Sequence, residues 1–330
     1  MLPPLLVFYD LRRIVGKLSM PAKQMTRVSS SQASLIDEIF VRTADENYIT
    51  ARWCAINQLN TDFLWLGVHA LEKYLKAVLL YNGRSAKGYG HDIVRLYKDV
   101  KKIAGKLLPK VLAKPANLKF AYWVDCKPED FLEHLHRNGN ADNRYLIYGY
   151  ATRSDDLHKL DALVFAIRRL ICSLDEPQAP LRGLPQAPPP FTYRTLLLRQ
   201  PELFRPLFMP LDDLISKKTD NPRRAAALNL NMPFAPRNFV HTPMRGGSAS
   251  RVPVILRRIL DPLKRDDPRD AEEGIEAAVW LLANVQVPGD DKKNPGAAAE
   301  IKHAVTATRL RLGLPAKKAK RSASCGCHGR

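Results

Sequence analysis

One segment, residues 61 to 82, constrains the fold of this chain more than any other. Its apolar residues recur every three or four positions, a spacing that is typical of one face of an α-helix. Gly83 follows the last of them and marks the predicted end of that helix. The opposite face carries a polar group made of His69, Glu72, Lys73 and Lys76. A helix with one apolar face packs against other helices, so this segment predicts a helical protein.

Other segments repeat the helical periodicity on both sides of it. They are Thr43 to Asn57, His91 to Leu108, Pro128 to His136, and a last helix that opens at Ser154. Thr43 and Glu46 have the spacing of a capping box and therefore predict a helix start. The sequence thus predicts an all-α fold, an antiparallel bundle of about five helices.

The helix after His91 has the most regular pattern in the chain. On the side opposite its apolar stripe lie four cations, Arg95, Lys98, Lys102 and Lys106. A row of this kind either contacts phosphate groups or is an ordinary solvated face, and the sequence leaves both readings open.

Proline usage changes near residue 177. Of the 25 prolines, 19 lie from Pro177 onward, which predicts a linker there and an irregular segment beyond it. The predicted division has five parts. They are a poorly ordered N-terminus (1–30), a helical bundle (31–176), a proline-rich linker (177–192), an irregular and helical C-terminal region (193–314) and a basic disordered tail (315–330). The C-terminal extension as a whole is expected to be proline-rich and mainly helical. Helices are expected in the C-terminal region at 254–260, 269–285 and 295–312.

The net charge of +19 points to an acidic partner. It favours nucleic acid over an anionic membrane surface. The five cysteines form no paired framework, which favours a reducing cytoplasm, and no run approaches the length of about 18 apolar residues that a membrane span needs.

Several short motifs resemble those of the HEPN family, helical domains named for higher eukaryotes and prokaryotes nucleotide-binding proteins. The matching residues are H-A-L-E-K-Y-L-K-A at 69–77, G-H-D-I-V-R-L at 90–96, N-R-Y at 143–145, and Ala51-Arg52, within a region of roughly 40–175. The resemblance implies a bundle that binds a nucleotide or RNA, a homodimer, and a defence or toxin–antitoxin setting. Ribonuclease members of the family cleave without metal, through an arginine and a histidine that are separated by four to six residues.

Two sets of candidate residues follow. The nucleotide or RNA phosphate would be held by His69, Lys73, Lys76, His91 and Arg144, as nucleotide-binding members imply. Catalysis would use Arg84 with His91, which matches the motif in its letters, or Arg144 with a tyrosine such as Tyr150. No histidine follows Arg144 before His158, and a tyrosine with a pKa near 10 is a poor base at neutral pH.

Arg52 has two possible roles, either in the phosphate pocket or as a buried support through a carboxylate such as Asp45. No cofactor and no metal site are predicted, since Cys325, Cys327 and His328 lack a fourth ligand nearby. Three functions therefore remain open: nucleotide or RNA binding, metal-independent RNA cleavage, and a non-catalytic interaction module that holds a protein partner through residues 177–243.

Overall fold

The computed structural model describes residues 28–119, 122–143, 145–177, 191–204, 207–241, 250–252, 255–285, 287 and 296–315. Several predictions lie outside these residues. They concern most of the N-terminus, most of the 177–192 linker, most of the 315–330 tail, and Arg144. The first half contains helices α1 Ser30–Ile36, α2 Thr43–Ile56, α3 Asn60–Tyr81, α4 Ile93–Ala104, α5 Pro128–Gly139 and α6 Asp156–Arg168, with strand β1 Tyr150–Thr152 between the last two. The second half contains α7 Tyr193–Arg199, α8 Pro210–Ser216, α9 Pro222–Leu228, β2 Ser250–Val252, α10 Ile255–Leu263, α11 Pro268–Asn284 and α12 Ala297–Arg311.

Helix α3 lies at the centre of the bundle. It packs against α2, α4, α5 and α6, because its apolar residues cover more than half of its circumference. The closest approach is at Gly139, where an added Cβ would lie 2.4 Å from the Leu64 carbonyl oxygen. The prediction of an all-α bundle is confirmed, and the helix expected over residues 61 to 82 is present within one residue at each end.

The capping box predicted at Thr43 is wrong. Residues Asp37–Arg42 already form a π-helical turn that joins α1 to α2, so the chain is helical before Thr43 is reached. The Thr43 hydroxyl instead donates to the Ile39 carbonyl at 2.7 Å. The capping box is instead at the start of α1, where Ser29 and Gln32 exchange backbone and side-chain hydrogen bonds.

The proline-rich segment after Phe191 forms three short helices that lie on the bundle. Pro210 and Pro222 occupy the first turns of α8 and α9, positions where the missing N–H costs no hydrogen bond. Apolar side chains of this segment, including Leu211, Leu228 and Phe234, belong to the same buried cluster as α2, α3 and α6. The main core therefore continues past residue 177, while the predicted domain boundaries themselves stay a prediction.

Helices α10, α11 and α12 form a second, smaller core. Ile147, from the loop before β1, is buried among them, and its carbonyl accepts the Leu256 N–H at 2.9 Å. Strands β1 and β2 pair antiparallel, with Tyr150 opposite Val252. The three helices expected in the C-terminal region are present, and they pack on the loop that follows α5. Among the residues that the structure describes, no helix is both long and apolar enough to cross a membrane.

Candidate functional site

The candidate site lies where the polar side of α3 meets the loop that leads into α4. Gly83, Gly88 and Gly90 have positive φ angles of 68°, 81° and 56°, which glycine adopts without strain, and they turn the chain back along α3. Asp92 then caps α4, since its carboxylate accepts the Arg95 N–H at 2.9 Å. Because the loop turns back, His91 lies beside α3, which ends ten residues earlier in the chain.

Glu72 organises the site. Its side chain is only 7 % exposed, and its Oε1 accepts a hydrogen bond from Lys76 Nζ at 2.6 Å. Its Oε2 lies 3.0 Å from Nδ1 of His91 and 3.7 Å from Nδ1 of His69. Lys76 also donates to the Gly90 carbonyl at 3.0 Å, which ties the loop to α3. These four side chains, His69, Glu72, Lys76 and His91, are called the Glu72 cluster below.

The hydrogen bonds of the cluster decide the charge of its carboxylate. Burial alone would raise the pKa of Glu72, but the contacts with His69, Lys76 and His91 and the charge of Lys76 outweigh it and lower the pKa to about 2. Glu72 is therefore a fixed negative charge at neutral pH. The His91 side chain is 59 % exposed, so an imidazole held on that carboxylate faces solvent.

Aromatic rings and further cations surround the cluster. Trp65 packs edge-on against His69, with ring centroids 4.4 Å apart, and the rings of His69 and His91 lie 6.0 Å apart. Beyond the loop, the Arg95 guanidinium lies over Tyr89, 4.9 Å from the ring centroid. The Tyr89 hydroxyl donates to Asp99 at 2.8 Å, next to the basic row of α4.

The row of cations opposite the apolar stripe of α4 is exposed, as the spacing of these residues predicted. Arg95, Lys98, Lys102 and Lys106 are all open to solvent, and Lys102 pairs with Asp99 at 2.6 Å. These four residues are called the basic face of α4 below. Its first member, Arg95, lies one helical turn after His91 in the sequence.

The structure brings together some of the predicted site residues and separates others. His69, Lys76 and His91 meet around Glu72. Lys73 instead donates to Asn47 of α2 at 2.6 Å, and burial lowers its pKa. Arg84 is exposed in the loop after α3, and Tyr150 is partly buried in β1, paired with β2. These roles stay predictions, as does that of Arg144.

Of the two roles predicted for Arg52, the structure shows the buried one, but the carboxylate that pairs with Arg52 is Asp161 and not Asp45. Arg52 is fully buried and pairs with Asp161, while its Nε donates to the Ala226 carbonyl at 2.8 Å. Asp45 belongs instead to Arg168, whose Nε and Nη2 each lie 2.8 Å from its oxygens. Arg168 also donates to Asp212 of α8, at 2.6 Å and 2.9 Å.

Arg168 and its two carboxylate partners form a second charged group, which is buried inside the bundle. Burial raises the pKa of Asp45, and the Arg168 charge opposes that rise only in part. The Tyr74 hydroxyl and the Leu211 N–H donate to the same carboxylate, at 2.5 Å and 3.2 Å. Asp45, Tyr74, Arg168 and Asp212 are called the Arg168 cluster below, and its hydrogen bonding is typical of a structural ion network.

Sequence reasoning missed the central place of Glu72. The spacings His69 to Glu72 and Glu72 to Lys76 put His69 and Lys76 each about one turn from Glu72, and this signal was present in the sequence. The contact with His91 had no local signal, because it depends on the path of the glycine-rich loop.

Comparison with protein families gives one match. The sequence model of the HEPN domain matches residues 38–147, a range that contains α2, α3, the glycine-rich loop, α4 and α5. Comparisons with curated proteins and with solved structures gave no match. The Glu72 cluster and the basic face of α4 both lie within the matched range. Residues 38–147, in the N-terminal half of this chain, thus match the HEPN domain, a family that suggests a nucleotide- or RNA-related function.

Proposed function

We propose that the Glu72 cluster and the basic face of α4 form one surface that binds the phosphate groups of RNA. The observation that carries the proposal is the His91 imidazole, held at 3.0 Å from a buried carboxylate while 59 % of its side chain is exposed. With the Nδ1 proton directed at Glu72, the other ring nitrogen is available to a ligand. In the imidazolium form that nitrogen also carries a proton, and a donor held at the start of a row of cations suits a phosphate oxygen.

The shape of the surface favours a polymer over a single nucleotide. From Arg95 to Lys102 the cations extend along about 10 Å of helix, given a rise of about 1.5 Å per residue. A row of this length contacts successive phosphates of a strand. Tyr89 lies beside the row and offers a ring face on which a base can stack, although Arg95 already covers one side of it.

The test is the affinity for a fluorescent single-stranded RNA of mixed sequence, measured by anisotropy in the presence of EDTA. His91→Ala should weaken binding about tenfold, the effect of losing one hydrogen bond to a charged group. His303→Ala, which removes an exposed imidazole on α12, is the matched control and should leave affinity within about twofold. Equal affinity of His91→Ala and the unaltered chain would reject the proposal.

A metal-independent ribonuclease is the second candidate. The Glu72–His91 hydrogen bond orients the ring in the way that a carboxylate orients a catalytic imidazole, and Arg84 in the same loop would supply the phosphate contact. Arg144 with Tyr150 is the other predicted pair. Cleavage of RNA in EDTA that is lost in both His91→Ala and Arg84→Ala would favour this candidate over binding alone.

The remaining expectations concern partners. A homodimer, a toxin–antitoxin or defence setting and a cytoplasmic location are inferred only from the family and from composition. A protein partner through residues 177–243 is the alternative role for the proline-rich segment. Much of its described apolar surface is buried on the bundle, which leaves less of it for a partner.

A further inference from the structure

The Glu72 cluster also has the geometry of a metal site. One ring nitrogen of His69, one of His91 and a carboxylate oxygen of Glu72 all lie within 4.8 Å of one another. The oxygen is 3.0 Å and 3.7 Å from the two Nδ1 atoms. In a tetrahedral zinc site with bonds of about 2.1 Å, ligand atoms lie about 3.4 Å apart. Small side-chain rotations would therefore bring these three atoms to coordination distance of one ion.

We propose that His69, Glu72 and His91 bind one divalent transition metal ion of the zinc type. Two imidazoles and one carboxylate suit zinc and its neighbours, whereas magnesium and calcium prefer oxygen ligands. Three protein ligands leave a fourth position, and the exposure of His91 places that position toward solvent. The sequence had given no reason to expect a metal, since two ligands lie on α3 and the third arrives through the loop.

Neighbouring groups hold the three ligands before any ion binds. Lys76 fixes Oε1 of Glu72 at 2.6 Å, which leaves Oε2 for the ion. The edge of Trp65 packs against the His69 ring and restricts its rotation. Such outer contacts orient the ligands of protein metal sites. The Lys76 charge also opposes a cation nearby, so we expect weaker binding than at structural zinc sites, which lack such a neighbour.

This inference stands apart from the proposed RNA binding, because zinc titration requires no RNA and the RNA assay above is run in EDTA. The chain also carries thiols at Cys325 and Cys327 that would bind added zinc. Titrations are therefore made both on the unaltered chain and on a Cys325→Ser/Cys327→Ser parent. Both proteins are dialysed against EDTA and then against metal-free buffer.

Isothermal titration of the parent with Zn²⁺ should show one ion per chain. His69→Ala and His91→Ala in the same background should each weaken Zn²⁺ binding at least about tenfold, as loss of a ligand does, while His303→Ala should bind as the parent does. Co²⁺ added to the parent should give visible absorption bands that are lost in His91→Ala. Because His91 is largely exposed, its substitution leaves the fold intact, which circular dichroism would verify. A parent that binds no Zn²⁺, or a His91→Ala variant that binds it equally well, would overturn the proposal.

Discussion

Two charged clusters share helix α3 and differ in what surrounds them. The Arg168 cluster contains a guanidinium with 0 % of its side chain exposed, and its carboxylate partners accept further hydrogen bonds from Tyr74 and the backbone. The Glu72 cluster buries only its carboxylate and leaves an imidazole in solvent. The presence of a buried ion pair therefore does not by itself distinguish a candidate functional site from a structural one. The distinguishing property is a polar edge that solvent, and hence a ligand, can reach.

The largest expected difference between the clusters is in stability. Arg168→Ala would leave Asp45 and Asp212 buried without their cation, which costs roughly 3–5 kcal/mol of the free energy of unfolding. Arg42→Ala removes an exposed ion pair with Glu38 and should leave the free energy of unfolding close to that of the unaltered chain. Urea denaturation of the two variants measures both values. Equal losses of unfolding free energy in the two variants would mean that the Arg168 cluster stabilises the fold no more than an exposed ion pair does.

The Glu72 cluster should show its own dependence on pH. The pKa of Glu72 in the folded state, about 2, is below its ordinary value of 4.5. The deprotonated carboxylate therefore stabilises the folded state above pH 4.5, and this stabilisation is lost as the pH falls toward 2. The shift corresponds to at most about 3 kcal/mol. Unfolding free energies of the unaltered chain and of Glu72→Gln should thus differ most near neutral pH and converge in acid.

Glu133→Gln, which changes an exposed glutamate on α5, is the matched control for that comparison. Its unfolding free energy should follow that of the unaltered chain over the same pH range. A constant difference between Glu72→Gln and the unaltered chain would contradict the assigned role of the carboxylate.

The smallest expected effect concerns the basic face of α4. Lys98→Gln removes one exposed cation and should reduce the slope of log affinity against log salt concentration by about 0.7, the value for one phosphate contact on a single strand. Anisotropy titrations between about 50 and 200 mM salt measure this slope. Lys218→Gln, an exposed lysine outside the Glu72 cluster and the basic face of α4, should leave the slope unchanged. Identical slopes for both variants would limit the RNA surface to the Glu72 cluster.

Local patterns in the sequence predicted most of the fold. The apolar period located α3 and α4, and prolines located the breaks of the second half, because both signals depend on near neighbours. The Thr43 capping motif failed because a π-helical turn upstream already satisfied that backbone. Contacts between distant segments had no such signal. Arg52 meets Asp161 across 109 positions, and His91 reaches Glu72 only through the loop.

The buried arginines also bear on how much of the chain a HEPN unit requires. Arg52 and Arg168 lie on α2 and α6, yet each completes its hydrogen bonds with groups beyond residue 200, the Ala226 carbonyl and the Asp212 carboxylate. A protein truncated after α6 would expose apolar surface and leave both guanidinium groups with unsatisfied hydrogen bonds. The proline-rich segment after Phe191 thus supplies hydrogen-bond partners to the bundle from sequence beyond the residues that the family model matches.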